Sequence, residues 1–119
     1  MSSRPEELRD RTKAFALRII RLFRSLPYRT DTQVLGKQWL RCGTSGAANY
    51  RAGCRARSKQ EFIARIGIVA EEADESVLWL ELLNESGITK FEKTGELLRE
   101  ARELTAILTA SQQTAKRAR

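Results

Sequence analysis

Four carboxylates crowd into five positions at Glu71, Glu72, Asp74 and Glu75, and they raise the first chemical question of this chain. Carboxylates on a helix can hold a di-metal centre, but such bundles need acids on several facing helices plus Glu-x-x-His pairs. This sequence has no histidine at all, and its first two helical stretches offer few matching acids. No metal site and no cofactor are therefore expected. Cys42 and Cys54 lie twelve apart, which is not zinc-ligand spacing, so both read as small buried thiols. Ser45 has neither a histidine nor a clear lysine partner, so no nucleophile stands beside a base. The glycines lie within a helical pattern rather than after a strand, which excludes a phosphate-cradling loop. The expectation is a protein that is not an enzyme and takes no small-molecule substrate.

Charge is more suggestive. Lys and Arg number 22 against 15 acids, a formal net charge of +7 over 119 residues. Such a balance suits a polyanion partner, RNA or DNA, and serves equally as a solvated face. Arg51, Arg55, Arg57 and Lys59 cluster at one turn with Arg65 beyond, and Arg11, Arg18, Arg21 and Arg24 line the polar side of the first helix. The eight other than Arg11 are the candidate nucleic-acid contacts. Tyr50 is the only aromatic near them and belongs to the core side, so contact would be with backbone rather than by base stacking.

These residues must be positioned by helices. Few prolines, many Leu, Ala, Glu and Arg, and no sustained period-2 alternation predict an all-α chain. Helices are expected over about 6–26, 31–55, 58–85 and 89–113, with a basic, frayed tail at 114–119. Ser3 or Arg4 would cap the first and Pro27 would end it. Leu8, Phe15, Ile19, Leu22, Phe23 and Leu26 share one face of it. The second would be capped within Thr30-Asp31-Thr32. Of its four glycines (Gly36, Gly43, Gly46 and Gly53), the last three fall with Leu35, Trp39, Cys42, Asn49 and Tyr50 on one side, so the helix is continued through them; a loop at 43–46 is the alternative. Ser58 and Glu61 form a capping box for the third, and Gly87 ends it. Phe62, Ile66, Val69, Ala73, Ser76, Val77, Leu80 and Leu83 make its core stripe. Phe91, Leu97, Leu98, Ala101, Leu104, Thr105 and Leu108 make that of the fourth.

Short connections then give one domain, an up-down-up-down antiparallel four-helix bundle. If the second and third helices form a hairpin, facing positions sum to about 115, which sets Arg41 level with Asp74 and Glu75. A partly buried structural ion pair from Arg41 to Glu75 or Asp74 follows, fixing register more than adding stability. Leu17, Ile20, Ile68 and Trp79 fall off the core faces and predict a surface buried between subunits of a homo-oligomer. The start lacks an apolar leader region and no run is long enough to span a membrane, so a cytoplasmic protein without membrane contact is expected.

The runs ALRIIRLFRSLP, LRCGTSGAANYRAGCRARSKQEFIARIGIVAEEADESVLWLELL and LLREARELTAILTAS resemble the bacterial four helix bundle family, also called the 23S rRNA-intervening-sequence protein (S23) family. Arg41, Ser45 and Asn49 match its second-helix pattern; Phe62, Glu72, Glu75, Trp79 and Leu80 match its third. The resemblance implies a pentameric barrel of bundles. It also implies kinship with basic accessory proteins of diversity-generating retroelements, which work with a reverse transcriptase and nucleic acid. It makes an RNA- or DNA-binding scaffold the leading expectation and a protein-interaction scaffold, such as an accessory subunit for a reverse transcriptase, the alternative.

Overall fold

A computed structural model describes residues 5–118. Four helices follow one another: α1 Pro5–Arg24, α2 Thr30–Cys54, α3 Lys59–Glu85 and α4 Phe91–Arg117. They form an antiparallel bundle of 49 × 24 × 19 Å. Sequence neighbours pack side by side: α2 against α3 most extensively, then α3 against α4, then α1 against α2. The backbones of α1 and α4 barely approach, and the diagonal pairs do not meet.

Each boundary has a local cause. Pro5 occupies the first turn of α1, where its missing N–H costs nothing. Glu6 and Glu7 begin that helix and Arg21 and Arg24 end it, in the order its dipole prefers. The chain leaves α1 ahead of Pro27, through tight bonds from Ser25 N–H to the Leu22 carbonyl and from Leu26 N–H to that of Phe23. Ser58 Oγ accepts the Glu61 N–H at 3.1 Å. The Glu61 carboxylate reaches back to the Arg57 N–H at 2.9 Å, one residue beyond the Ser58 N–H of the usual box. Gly87 takes φ +85° just past α3, a backbone that side chains resist. Asn84 Oδ1 then ties the α3–α4 turn by accepting from the hydroxyls of Thr89 and Thr94.

α2 runs unbroken through Gly43 and Gly46. A methyl at Gly43 would stand 2.5 Å from Ile19 Cδ1 of α1, so its absence is what seats Ile19 fully buried. Beside Gly46 a methyl would meet nothing within 4 Å. That position borders an apolar cavity of about 20 Å³ between Phe15, Val69, Ala73 and Leu104. The rest of the core is closed by Trp39, Ile66, Leu80, Leu83 and Leu108.

The structure departs from the sequence-based expectations in several places. Thr30, Asp31 and Thr32 do not cap α2. Arg29 is the boundary residue and offers no side-chain bond, while Asp31 Oδ1 accepts the Thr32 N–H from inside the first turn. Leu22, Phe23 and Leu26 are only half-buried, because the end of α1 has α2 on one side and little of α4 on the other. Phe91 is 64% exposed at the first position of α4, its ring lying along Gly95 of the same helix. α4 continues to Arg117, so residues 114–117 are helical rather than a frayed tail. The caps expected at Ser3 or Arg4, and Arg119 of the basic tail, lie outside the described residues.

Candidate functional site: a polar seam and a cationic groove

The candidate residues separate into two regions on opposite flanks of α2. The first is the seam with α3. Arg41, Ser45 and Asn49 stand one turn apart on α2, and Arg65, Glu72, Glu75 and Trp79 follow the facing side of α3. Arg65 Nη1 donates to Asn49 Oδ1 at 2.8 Å. Asn49 Nδ2 donates onward to Glu72 Oε1 at 3.1 Å and to Ser45 Oγ at 3.2 Å. Glu72 is only 8% exposed, and its other oxygen lies 4.0 Å from Arg41 Nη1. Arg41 Nη2 reaches Glu75 Oε1 at 3.1 Å, with both side chains about half exposed. The pair is thus more open than its partly buried expectation. Asp74, the other expected partner, is exposed and forms no ion pair among the described residues.

Cys42 completes the seam. Its thiol accepts from Arg41 Nη2 at 3.2 Å and donates to Glu75 Oε1 at 3.3 Å. Burial, helped by the adjacent Glu75 carboxylate, pushes this thiol up to about 11. The charge that Cys42 can carry, then the Glu75 bond, hold the Arg41 guanidinium more firmly protonated. Hydrogen bonds therefore run from Arg65 through Asn49 to Glu72, and a 4.0 Å ion-pair contact carries the seam on to Arg41, which is bonded to Glu75. Sequence spacing located the Arg41 end and missed the Arg65–Asn49–Glu72 end. Facing positions set Asn49 level with Ile66 and hence beside Arg65, whereas Glu72 stands further along α3 and meets Asn49 only through its side chain.

The second region is the flank of α2 toward α1 and the α2–α3 turn. Arg51, Arg55, Arg57 and Lys59 are all exposed. Among the described residues none of their side-chain charges has a carboxylate within 4 Å. Two α1 residues that the sequence did not single out, Arg9 and Lys13, join Arg51 and Arg55 around one groove. Arg65, grouped with the turn by sequence, is half-buried and committed to Asn49 instead. Arg18 lies 3.9 Å from Glu96 of α4, while Arg21 and Arg24 are exposed at the far end of the bundle, away from the turn. The eight candidates do not form one surface.

Cys54 corrects a further expectation: it is exposed at the last position of α2. It lines the groove beside Arg51 and Arg55 rather than the core. Tyr50 is buried as expected, and its hydroxyl is pushed up by that burial.

Among the apolar off-face residues, Leu17 and Ile68 are 40% and 41% exposed, while Ile20 and Trp79 are half-buried. They sit on α1 and α3, which are diagonal and whose backbones do not approach closely. They therefore make two separate patches, not one. Among the described residues the buried indole nitrogen of Trp39 has no acceptor, and that of Trp79 has none but the nearby Cys42 sulfur.

Among the described residues no three His, Cys, Asp or Glu side chains converge as metal ligands would. Nor is any described helix long and apolar enough to cross a membrane. No curated protein matches the chain. It is similar, at 31% identity and a TM-score of 0.84, to the crystal structure of a protein of unknown function from the S23 ribosomal protein family of Bacteroides thetaiotaomicron. The match covers 92% of this chain and 97% of that one. The profile of the 23S rRNA-intervening sequence protein family matches residues 6–110. With its helices, its Arg41–Asn49–Glu72–Glu75 seam and that match over most of its length, the chain belongs to the 23S rRNA-intervening sequence protein family.

Proposed function

We propose that this protein is a non-enzymatic, homo-oligomeric scaffold whose basic surface holds RNA or DNA through the backbone, without sequence preference. The observation that carries it is the contrast in ion pairing. Arg11, Arg41 and Arg102 each lie within about 3 Å of a carboxylate. The side-chain charges of Arg51, Arg55, Arg57 and Lys59 have none among the described residues. Charges left free at one end keep their full potential for phosphate, and releasing condensed counterions supplies the affinity.

Assembly into a ring fits the two diagonal apolar patches. A closed ring joins two different surfaces of each subunit, as Leu17 with Ile20 and Ile68 with Trp79 provide. The resemblance to pentameric relatives favours five subunits. Repeating one cationic end around the ring raises avidity without any new contact.

The test is binding of nuclease-treated protein to structured RNA and duplex DNA across a salt series, with light scattering on the same sample. Steep loss of affinity with salt, by an oligomer, is the expected result. Absence of binding at low salt overturns the reading. A second reading, a scaffold for a protein such as a reverse transcriptase, draws on Leu78 and Leu82, which lie exposed one turn apart on α3. Its mark is association that weakens little with salt.

A further inference from the structure

A shallow groove runs between α1 and α2 near the start of α1. Two adjoining depressions form it, with volumes of about 300 and 410 Å³. Arg9 and Lys13 make the α1 wall; Arg51 and Arg55 make the α2 wall. Ala47 and Ala48 form the floor of the inner depression. Each wall is an i, i+4 pair, so its two cations stand about 6 Å apart along their helix. The floor has only methyl groups, so no side chain fills the space between the walls. Asp10 is the one acid of the lining, and none of the four bases has a carboxylate within 4 Å among the described residues.

Four like charges around one concavity repel each other and focus a positive potential into it. An anion with charge spread along its length relieves this better than a single compact ion. The walls offer planar guanidinium forks and an ammonium from two sides, which suits the two free oxygens of a phosphodiester. One wall spans about 6 Å, of the order of the through-space separation of two neighbouring phosphates on one strand. The lining has no aromatic ring on which a base could stack, and Tyr50, on the same helix as Arg51, is buried.

We propose that the α1–α2 groove is a phosphodiester-backbone site. It takes two or three successive phosphates of one nucleic-acid strand and leaves the bases outside. The inference rests on the reading that this protein binds nucleic acid, and it moves the centre of that binding. The turn residues Arg57 and Lys59 become peripheral, and Arg9 and Lys13 become contacts.

The experiment uses the full chain, fluorescently labelled oligouridylate and oligodeoxythymidylate, and three variants: R9Q/R51Q, R9E/R51E and R57E/K59E. Circular dichroism and light scattering accompany each. The groove reversal R9E/R51E is expected to weaken both probes at least tenfold with fold and assembly unchanged. R57E/K59E is expected to stay within about threefold of the parent. R9Q/R51Q should flatten the slope of log affinity against log salt by about 1.4, the share of two phosphates on a single strand. Inorganic polyphosphate should displace either probe.

If R9E/R51E binds like the parent while R57E/K59E loses binding, the groove assignment falls and the nucleic-acid reading stands. If the parent binds neither probe at low salt, both fall. A change of assembly size on groove reversal would make the groove a contact between subunits, and overturn the proposal. Tighter capture of polyglutamate than of oligouridylate would make its ligand an acidic protein segment, with the same consequence.

Discussion

Helix α2 carries arginines on both flanks, and they meet opposite fates. Toward α3, Arg41 finds Glu75 and Glu72, and Asn49 engages Arg65, so every charge in the seam is answered. Toward α1, Arg51 and Arg55 face Arg9 and Lys13, and charge meets like charge. The residue type is the same; what differs is the helix opposite. A polar contact answered inside a bundle fixes register, whereas an unanswered one stays available to a ligand. The comparison locates specificity of fold in the seam and capacity for binding in the groove.

The seam can be broken most severely at Asn49. Asn49→Ala removes the amide between Arg65 and Glu72 and leaves a nearly buried carboxylate with only Arg41 at 4.0 Å. A loss of about 3 kcal/mol in urea unfolding is expected. Pairing it with Glu72→Leu should recover most of that, because the stranded charge goes with it. Equal losses in the single and double variants would show that the seam does not act as a unit.

The groove flank responds to α1 spacing. Gly43→Ala pushes against Ile19 and should cost about 1–3 kcal/mol. Gly46→Ala enters open space in a helix interior and should gain up to about 1 kcal/mol. Thermal melts of the two variants check this opposition of sign. A destabilised Gly46→Ala would mean that α2 and its neighbours close more tightly than the cavity indicates.

A smaller effect is expected at Arg41. Its bond to Glu75 is half exposed, so Arg41→Ala should cost less than about 1 kcal/mol, by urea unfolding. The two cysteines sharpen the comparison further. Cys42 is buried in the seam and Cys54 is exposed in the groove. Iodoacetamide on the native protein at neutral pH should add one label, at Cys54, and two after unfolding, as read by mass spectrometry. Two labels on the native protein would show an open seam. Burial raises the Cys42 thiol from 9.0 to about 11, so its neutral form is the one the fold favours. Its contribution to stability is complete below about pH 9 and fades as pH rises through about 11.

Much of this architecture was legible in the sequence because helical periodicity and the Ser58 and Gly87 signals are local. Continuity of α2 through its glycines was legible for the same reason: they share a face with Trp39 and Tyr50. The half-buried end of α1 and the exposure of Cys54 and Phe91 were not. Those depend on where a neighbouring helix stops, which no local pattern encodes. The candidate site divided in the same way. Arg41 and Glu75 lie nearly level in a hairpin, so their pairing follows from counting residues. Arg65 lies as nearly level with Asn49, but its residue type groups it with the arginines of the turn. Arg9 and Lys13 gain meaning only when α1 is laid against α2.

The order of packing has a kinetic consequence. Every extensive contact joins helices adjacent in the chain, and only the slight α1–α4 approach, bridged by Arg11 to Glu100 and Glu103, links distant parts. Little loop-closure entropy must be spent before contacts form, which places this chain among bundles of low contact order. The α2–α3 hairpin, the most extensive of these contacts, is expected to form first, which φ-values higher there than at the α1–α4 approach would check. Strengthening the Arg11 bridge would then slow unfolding while leaving the folding rate nearly unchanged.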